Sequence, residues 1–121
     1  MYQADWLREV NEASKASWVL VHLYQDGLVE CRLMDECLGV LARRFRYIKF
    51  IKIRSTQAVE NWPDSKLPTI FLYRDGVLKT QSITLSPFGG KTMKPEDLEW
   101  WLAGLQVVTD SELNEDPRQK F

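Results

Sequence analysis

The thiols and imidazoles of this 121-residue sequence number three: His22, Cys31 and Cys37. On one helix, residues 31 and 37 stand about 9 Å apart along the axis at about 1.5 Å rise per residue. A disulfide needs Cα atoms within about 7 Å, so both are expected as free thiols in a reducing cytosol, acting as small core hydrophobes. A structural zinc site takes four ligands, and one histidine with two separated cysteines does not assemble one. His22 lies in an apolar strand, where a lone histidine reads as a core residue satisfied by its neighbours. No phosphate loop, dinucleotide fingerprint or Ser-His-Asp arrangement accompanies these groups, and Gly89-Gly90 reads as a tight turn. No cofactor or metal is expected.

Charge and hydropathy narrow the classes further. Sixteen basic and 17 acidic residues give a net charge of -1 and a pI near 5.8, without the basic footprint of a nucleic-acid binder. No apolar run reaches the roughly 20 residues of a membrane span, and no charged segment followed by an apolar one opens the chain as a secretory signal would. A cytoplasmic protein of one domain is expected. Arg43, Arg44, Arg46 and Lys49 cluster, which reads as a solvated helix end before it reads as a patch for an acidic partner.

Periodicity supplies the frame that positions these residues. Trp6, Leu7 and Val10 predict a short amphipathic helix over Asp5 to Ala13. Residues 18–24 are apolar on both faces apart from His22, as in a central strand covered on both sides. Met34, Cys37, Leu38, Leu41 and Phe45 make one stripe of a helix from Val29 to Phe45, with Cys31 about 60° from that stripe and so at least partly buried. Residues 48–53 predict a second strand with Lys49 and Lys52 near its ends. A helical turn is expected before Pro63. Thr69 to Tyr73 and Val77 to Leu85 form a hairpin about Asp75-Gly76. A last helix starts at Pro95-Glu96-Asp97 and buries Leu98, Trp101, Leu102 and Leu105. The order is α/β: a mixed central sheet of four to five strands flanked by helices over residues 1–108, followed by an acidic, loosely ordered tail over 109–121 that includes Asp110, Glu112, Glu115 and Asp116.

The strand 18–24, the helix after it and the run Leu67-Pro68-Thr69-Ile70-Phe71 resemble a thioredoxin. That resemblance implies a thioredoxin-like fold, with Leu67–Pro68 cis. In thioredoxins a Cys-x-x-Cys pair closes the first strand, because a low-pKa thiolate at a helix N-terminus does the redox chemistry. This sequence reads Leu28-Val29-Glu30-Cys31 there. The attacking sulfur is replaced by leucine, and Cys31 matches only the resolving one. His22 falls where many thioredoxins hold a buried acid. A scaffold kept while its nucleophile is deleted points to binding.

More specifically, the sequence resembles the phosducin-like proteins, and within them the branch of phosducin-like proteins 2 and 3, also called viral IAP-associated factors. Val21-His22-Leu23-Tyr24, Leu41-Ala42-Arg43-Arg44-Phe45, Asn61-Trp62-Pro63-Asp64 leading to Leu67-Pro68-Thr69-Ile70-Phe71, and Phe88-Gly89-Gly90 before Leu98-Glu99-Trp100 carry the resemblance. Residues 80–87 depart from the family pattern, and the family's N-terminal helical region is absent. The resemblance implies a non-catalytic co-chaperone that binds the cytosolic chaperonin and modulates folding of clients such as actin and tubulin, with a link to apoptosis regulation in that branch's alternative name. The alternatives are a monothiol oxidoreductase using Cys31 and a regulator of G-protein βγ subunits. Candidate partner-binding residues surround the deleted active site: Gly27, Leu28, Val29, Glu30, Trp62, Pro63 and Pro68, with Cys31 as the vestigial redox position.

Overall fold

A computed structural model describes residues 5–108; the acidic tail predicted at 109–121 lies outside them. Four strands, β1 (Val19–Tyr24), β2 (Lys49–Arg54), β3 (Thr69–Arg74) and β4 (Val77–Ile83), form one sheet in the order β2-β1-β3-β4. β1 runs parallel to β2 and antiparallel to β3, and β3 pairs antiparallel with β4. The parallel pair requires a crossover, which α1 (Val29–Arg44) provides. Short α2 (Ser55–Ala58) follows β2, and α3 (Pro95–Gly104) is the last helix among the described residues. The sheet is mixed, as expected, with four strands.

Alternation along β1 sorts the core into two faces. Leu20 joins Ile70 and Leu72 under α1 and α3, against Met34, Leu38, Leu41, Leu98 and Leu102. Val19, Val21 and Leu23 face the other way, with Ile53, Phe71, Leu67 and Val10. Both faces of β1 are buried because it is an inner strand with layers on each side.

Several boundaries and burials differ from the sequence reading. β2 begins at Lys49 and runs on to Arg54, so Lys52 stands inside the strand, opposite His22 in the register. The N-terminal segment is a π-helical turn over Leu7–Glu12 followed by a 3-10 turn over Ala13–Lys15. Its far end is tied to the β3–β4 turn: the Asn11 amide donates to the Gly76 carbonyl at 3.0 Å, and the backbone N–H groups of Asp75 and Gly76 donate to the Ser14 carbonyl and hydroxyl at 2.8 and 2.9 Å. Those tertiary hydrogen bonds are invisible in a local pattern. Asp75 and Gly76 have φ of 59° and 82°, both in the region that a two-residue type I′ turn requires.

In α3, Leu105 is 36% exposed, not buried, while Glu99 is buried and accepts from Arg44 at 2.7 Å. Cys31 is fully buried because the far face of α1 lies on the second core cluster. The basic cluster is partly neutralised: Arg44 binds Glu99, and Lys49 donates to Glu9 at 2.6 Å.

Candidate functional site

The segment leaving β1 turns at Asp26-Gly27, where Gly27 has φ of 84°, and enters α1 at Leu28. Leu28 is extended, with φ −93° and ψ 119°, and has no side-chain cap hydrogen bond. The first α1 turn thus presents an aliphatic N-cap where a hydroxyl or carboxylate normally serves. Val29 is 60% exposed. Glu30 is half-buried and meets the Lys91 ammonium at 3.8 Å.

Facing this turn is the strand entry at Leu67–Pro68, whose peptide bond is cis, as the thioredoxin resemblance implied. Pro68 is buried. The Pro68 carbonyl accepts from Thr84 N–H at 2.9 Å. Trp62 is half-buried, and its indole N–H donates to Thr69 Oγ1 at 3.1 Å, while that hydroxyl donates to the Lys66 carbonyl at 2.8 Å. Edge-on packing against Phe71 at 5.9 Å and the Lys66 ammonium 4.9 Å from the ring centre hold the indole further. Pro63 is exposed. Leu28 and Trp62 pack against the same buried cluster, which includes Cys31 and Leu67. The structure therefore brings Leu28, Trp62 and Cys31 to one apolar platform, with Val29 and Pro63 on its solvent side.

Neither thiol is poised for chemistry. Cys31 is 3% exposed, and burial pushes its thiol up, an effect only partly offset by a hydrogen bond from the Gln25 backbone. Burial pushes Cys37 up to about 11. The two are free. Reactive cysteines need the opposite setting, an accessible and stabilised thiolate.

His22 departs from the sequence reading. It is 1% exposed, yet neither Nδ1 nor Nε2 has a hydrogen-bond partner, whereas buried polar groups are nearly always paired. Asp35 Oδ1 lies 3.9 Å from Nδ1, beyond hydrogen-bond reach, and 3.4 Å from Lys52 Nζ. Desolvation pulls the imidazole down to about 4, against the attraction of Asp35 and with the repulsion of Lys52. The ring is neutral at pH 7. A polar cavity of about 210 Å³ beside it is walled by Tyr24, Gln25, Asp26, Cys31 and Arg32. Only the single histidine in a strand signalled this spot; its lack of partners had no sequence signal. Among the described residues no group of three or more His, Cys, Asp or Glu side chains is placed to hold a metal ion, and no helix is long and apolar enough to cross a membrane.

The Phosducin family profile matches residues 3–115. This chain belongs to the phosducin family. Among relatives, phosducin-like protein 3 of Danio rerio is 41% identical over 117 residues, 97% of this chain and 48% of that protein. Phosducin-like protein 3 of Mus musculus is 40% identical over 95% of this chain and 48% of that protein, and phosducin-like protein 2 of Dictyostelium discoideum is 40% identical over 93% and 50%. The chain spans about half the length of these relatives.

Solved thioredoxins share the architecture of this phosducin-family domain. Thioredoxin f2 of Chlamydomonas reinhardtii superposes with a TM-score of 0.69 at 16% identity, covering 90% of this chain and 96% of that one. Fasciola hepatica thioredoxin gives 0.64 at 16% identity, covering 84% and 92%. The fold is thioredoxin-like.

Proposed function

We propose that this chain is a non-catalytic, phosducin-like co-chaperone domain that binds the cytosolic chaperonin and modulates folding of clients such as actin and tubulin. The observation that carries this reading is the pairing of Leu28 with a buried, high-pKa Cys31 at the helix entry. A dithiol reductase needs an attacking thiolate and a resolving thiol, and the first of these positions holds a carbon side chain. What stands there suits contact: Val29 and Pro63 in solvent, with Leu28 and Trp62 half-buried behind them. Aromatic anchors dominate many protein interfaces. In this reading residues 1–108 form the domain, the acidic tail is an accessory, and the protein works in the cytoplasm.

Co-sedimentation with purified cytosolic chaperonin tests the proposal. The chain is expected to sediment with the ring, and Val29→Asp combined with Trp62→Ala to weaken that by roughly tenfold or more. No co-sedimentation by the folded chain, or insulin reduction at the rate of a dithiol thioredoxin, would overturn it.

A further inference from the structure

A groove of about 300 Å³ runs along α3, lined by Asp97, Trp100, Trp101, Gly104 and Leu105, with Pro87 completing its wall. The five α3 residues are related by steps of three and four, so they share one face over about two turns. Pro87, Gly104 and Leu105 are exposed, and Asp97 and both indoles are half-buried. The Trp101 ring is held edge-on to buried Phe88, with centroids 5.3 Å apart, so this wall stands preformed. Glycine is unfavourable inside a helix, yet a Cβ on Gly104 would meet nothing within 4 Å. The glycine keeps the floor of the groove open.

Charge decides what would enter. α3 holds three acids and no cation, and of these Glu99 is paired with Arg44. Glu96 and Asp97, with Glu36 of α1, join no ion pair among the described residues. These three carboxylates gather in one place: after burial, Glu36, Asp97 and Glu96 are what push the Cys37 thiol up. Asp97 Oδ2 accepts from the Lys94 backbone N–H at 2.8 Å, which leaves Oδ1 without a hydrogen bond among the described residues. Indole faces attract cations as well.

We infer that this groove binds a basic, extended segment of a partner protein, with an arginine guanidinium against Trp100 and Trp101 and paired with Asp97. A planar guanidinium stacks on an indole and also matches a carboxylate, which a compact ammonium does less well. Leu105, at the far end of the ridge, gives the same segment an apolar contact. Alternate residues of an extended chain face one way about 7 Å apart. Two arginines and a leucine at alternate positions therefore span the roughly 12 Å from Asp97 to Leu105. The groove shares no residue with the platform of Leu28 and Trp62, so it stands apart from the chaperonin reading.

Titration of the ¹⁵N-labelled chain with end-blocked Arg-Ala-Arg-Ala-Leu tests this, against the same peptide with citrulline for both arginines. The expected result is shifts at Asp97, Gly104 and the Trp100 and Trp101 indoles, with the arginine peptide bound roughly tenfold tighter. Asp97→Asn keeps an acceptor for the Lys94 N–H and should weaken the arginine peptide by roughly fivefold. Gly104→Met should abolish binding without lowering the melting temperature. Shifts confined to other faces, equal affinity for the two peptides, or no binding by a folded chain would overturn the inference. Indole contacts to residues 109–121 in the peptide-free chain would assign the groove to the chain's own tail, and concentration-dependent shifts there would assign it to a second copy. Either result overturns it too.

Discussion

Asp35 Oδ1 stands 3.4 Å from the Lys52 ammonium and 3.9 Å from His22 Nδ1. One carboxylate is thus shared by a permanent cation and an imidazole that is neutral at pH 7. The His22 pKa falls from 6.5 to about 4 because burial outweighs the pull of Asp35. A group that binds its proton less readily when folded contributes stability that is complete above the unfolded pKa and lost as pH falls toward the folded one. Between pH 6.5 and 4, His22 should therefore cost the fold up to about 3 kcal/mol. Urea unfolding at pH 7 and pH 4.5 measures it. His22→Leu should show a smaller loss over that interval, the remainder coming from carboxylates such as Glu9, which Lys49 and Arg8 hold low. Equal losses in both proteins would contradict the assignment.

Cys31 should behave as a core atom. With the thiol buried and its pKa raised, alkylation by iodoacetamide at pH 8 is expected to be at least a hundredfold slower than in urea-unfolded chain. Cys31→Ser would put a more polar group into that cluster and cost about 1–3 kcal/mol, with no change in co-sedimentation with chaperonin. Fast modification of the native thiol would restore the monothiol reading.

Thr69 ties the platform to the sheet through Trp62 and the Lys66 carbonyl. Thr69→Val keeps the shape but removes both hydrogen bonds, leaving a part-buried indole N–H without its acceptor. Destabilisation of about 1–3 kcal/mol is expected, with Trp62 fluorescence shifted to the red as the ring gains water. An unshifted spectrum would show that packing on Phe71 alone holds it.

Arg44 and Glu99 join α1 to α3, with Glu99 Oε2 left unpaired. Arg44→Met strands a buried carboxylate and should cost about 3 kcal/mol, whereas Arg44→Met with Glu99→Leu should recover much of that loss. The double-mutant cycle in urea reads the coupling; strict additivity would refute it.

Local pattern was enough for much of this protein. The apolar run of β1 read as an inner strand because both its faces are covered, Asp75-Gly76 read as a hairpin because two positive φ values suit those residues, and Leu67-Pro68-Thr69 with Leu28 in place of a cysteine marked the platform. These signals are written in neighbouring residues, so they need no knowledge of distant ones. The lack of hydrogen bonds to His22, the Arg44–Glu99 tie and the π-helical turn engaged with Asp75-Gly76 had no such signature. Each depends on which side chains from remote segments arrive at one place. Whether a polar atom is paired, and how far a pKa moves, is set by that meeting, and only the tertiary structure decides it.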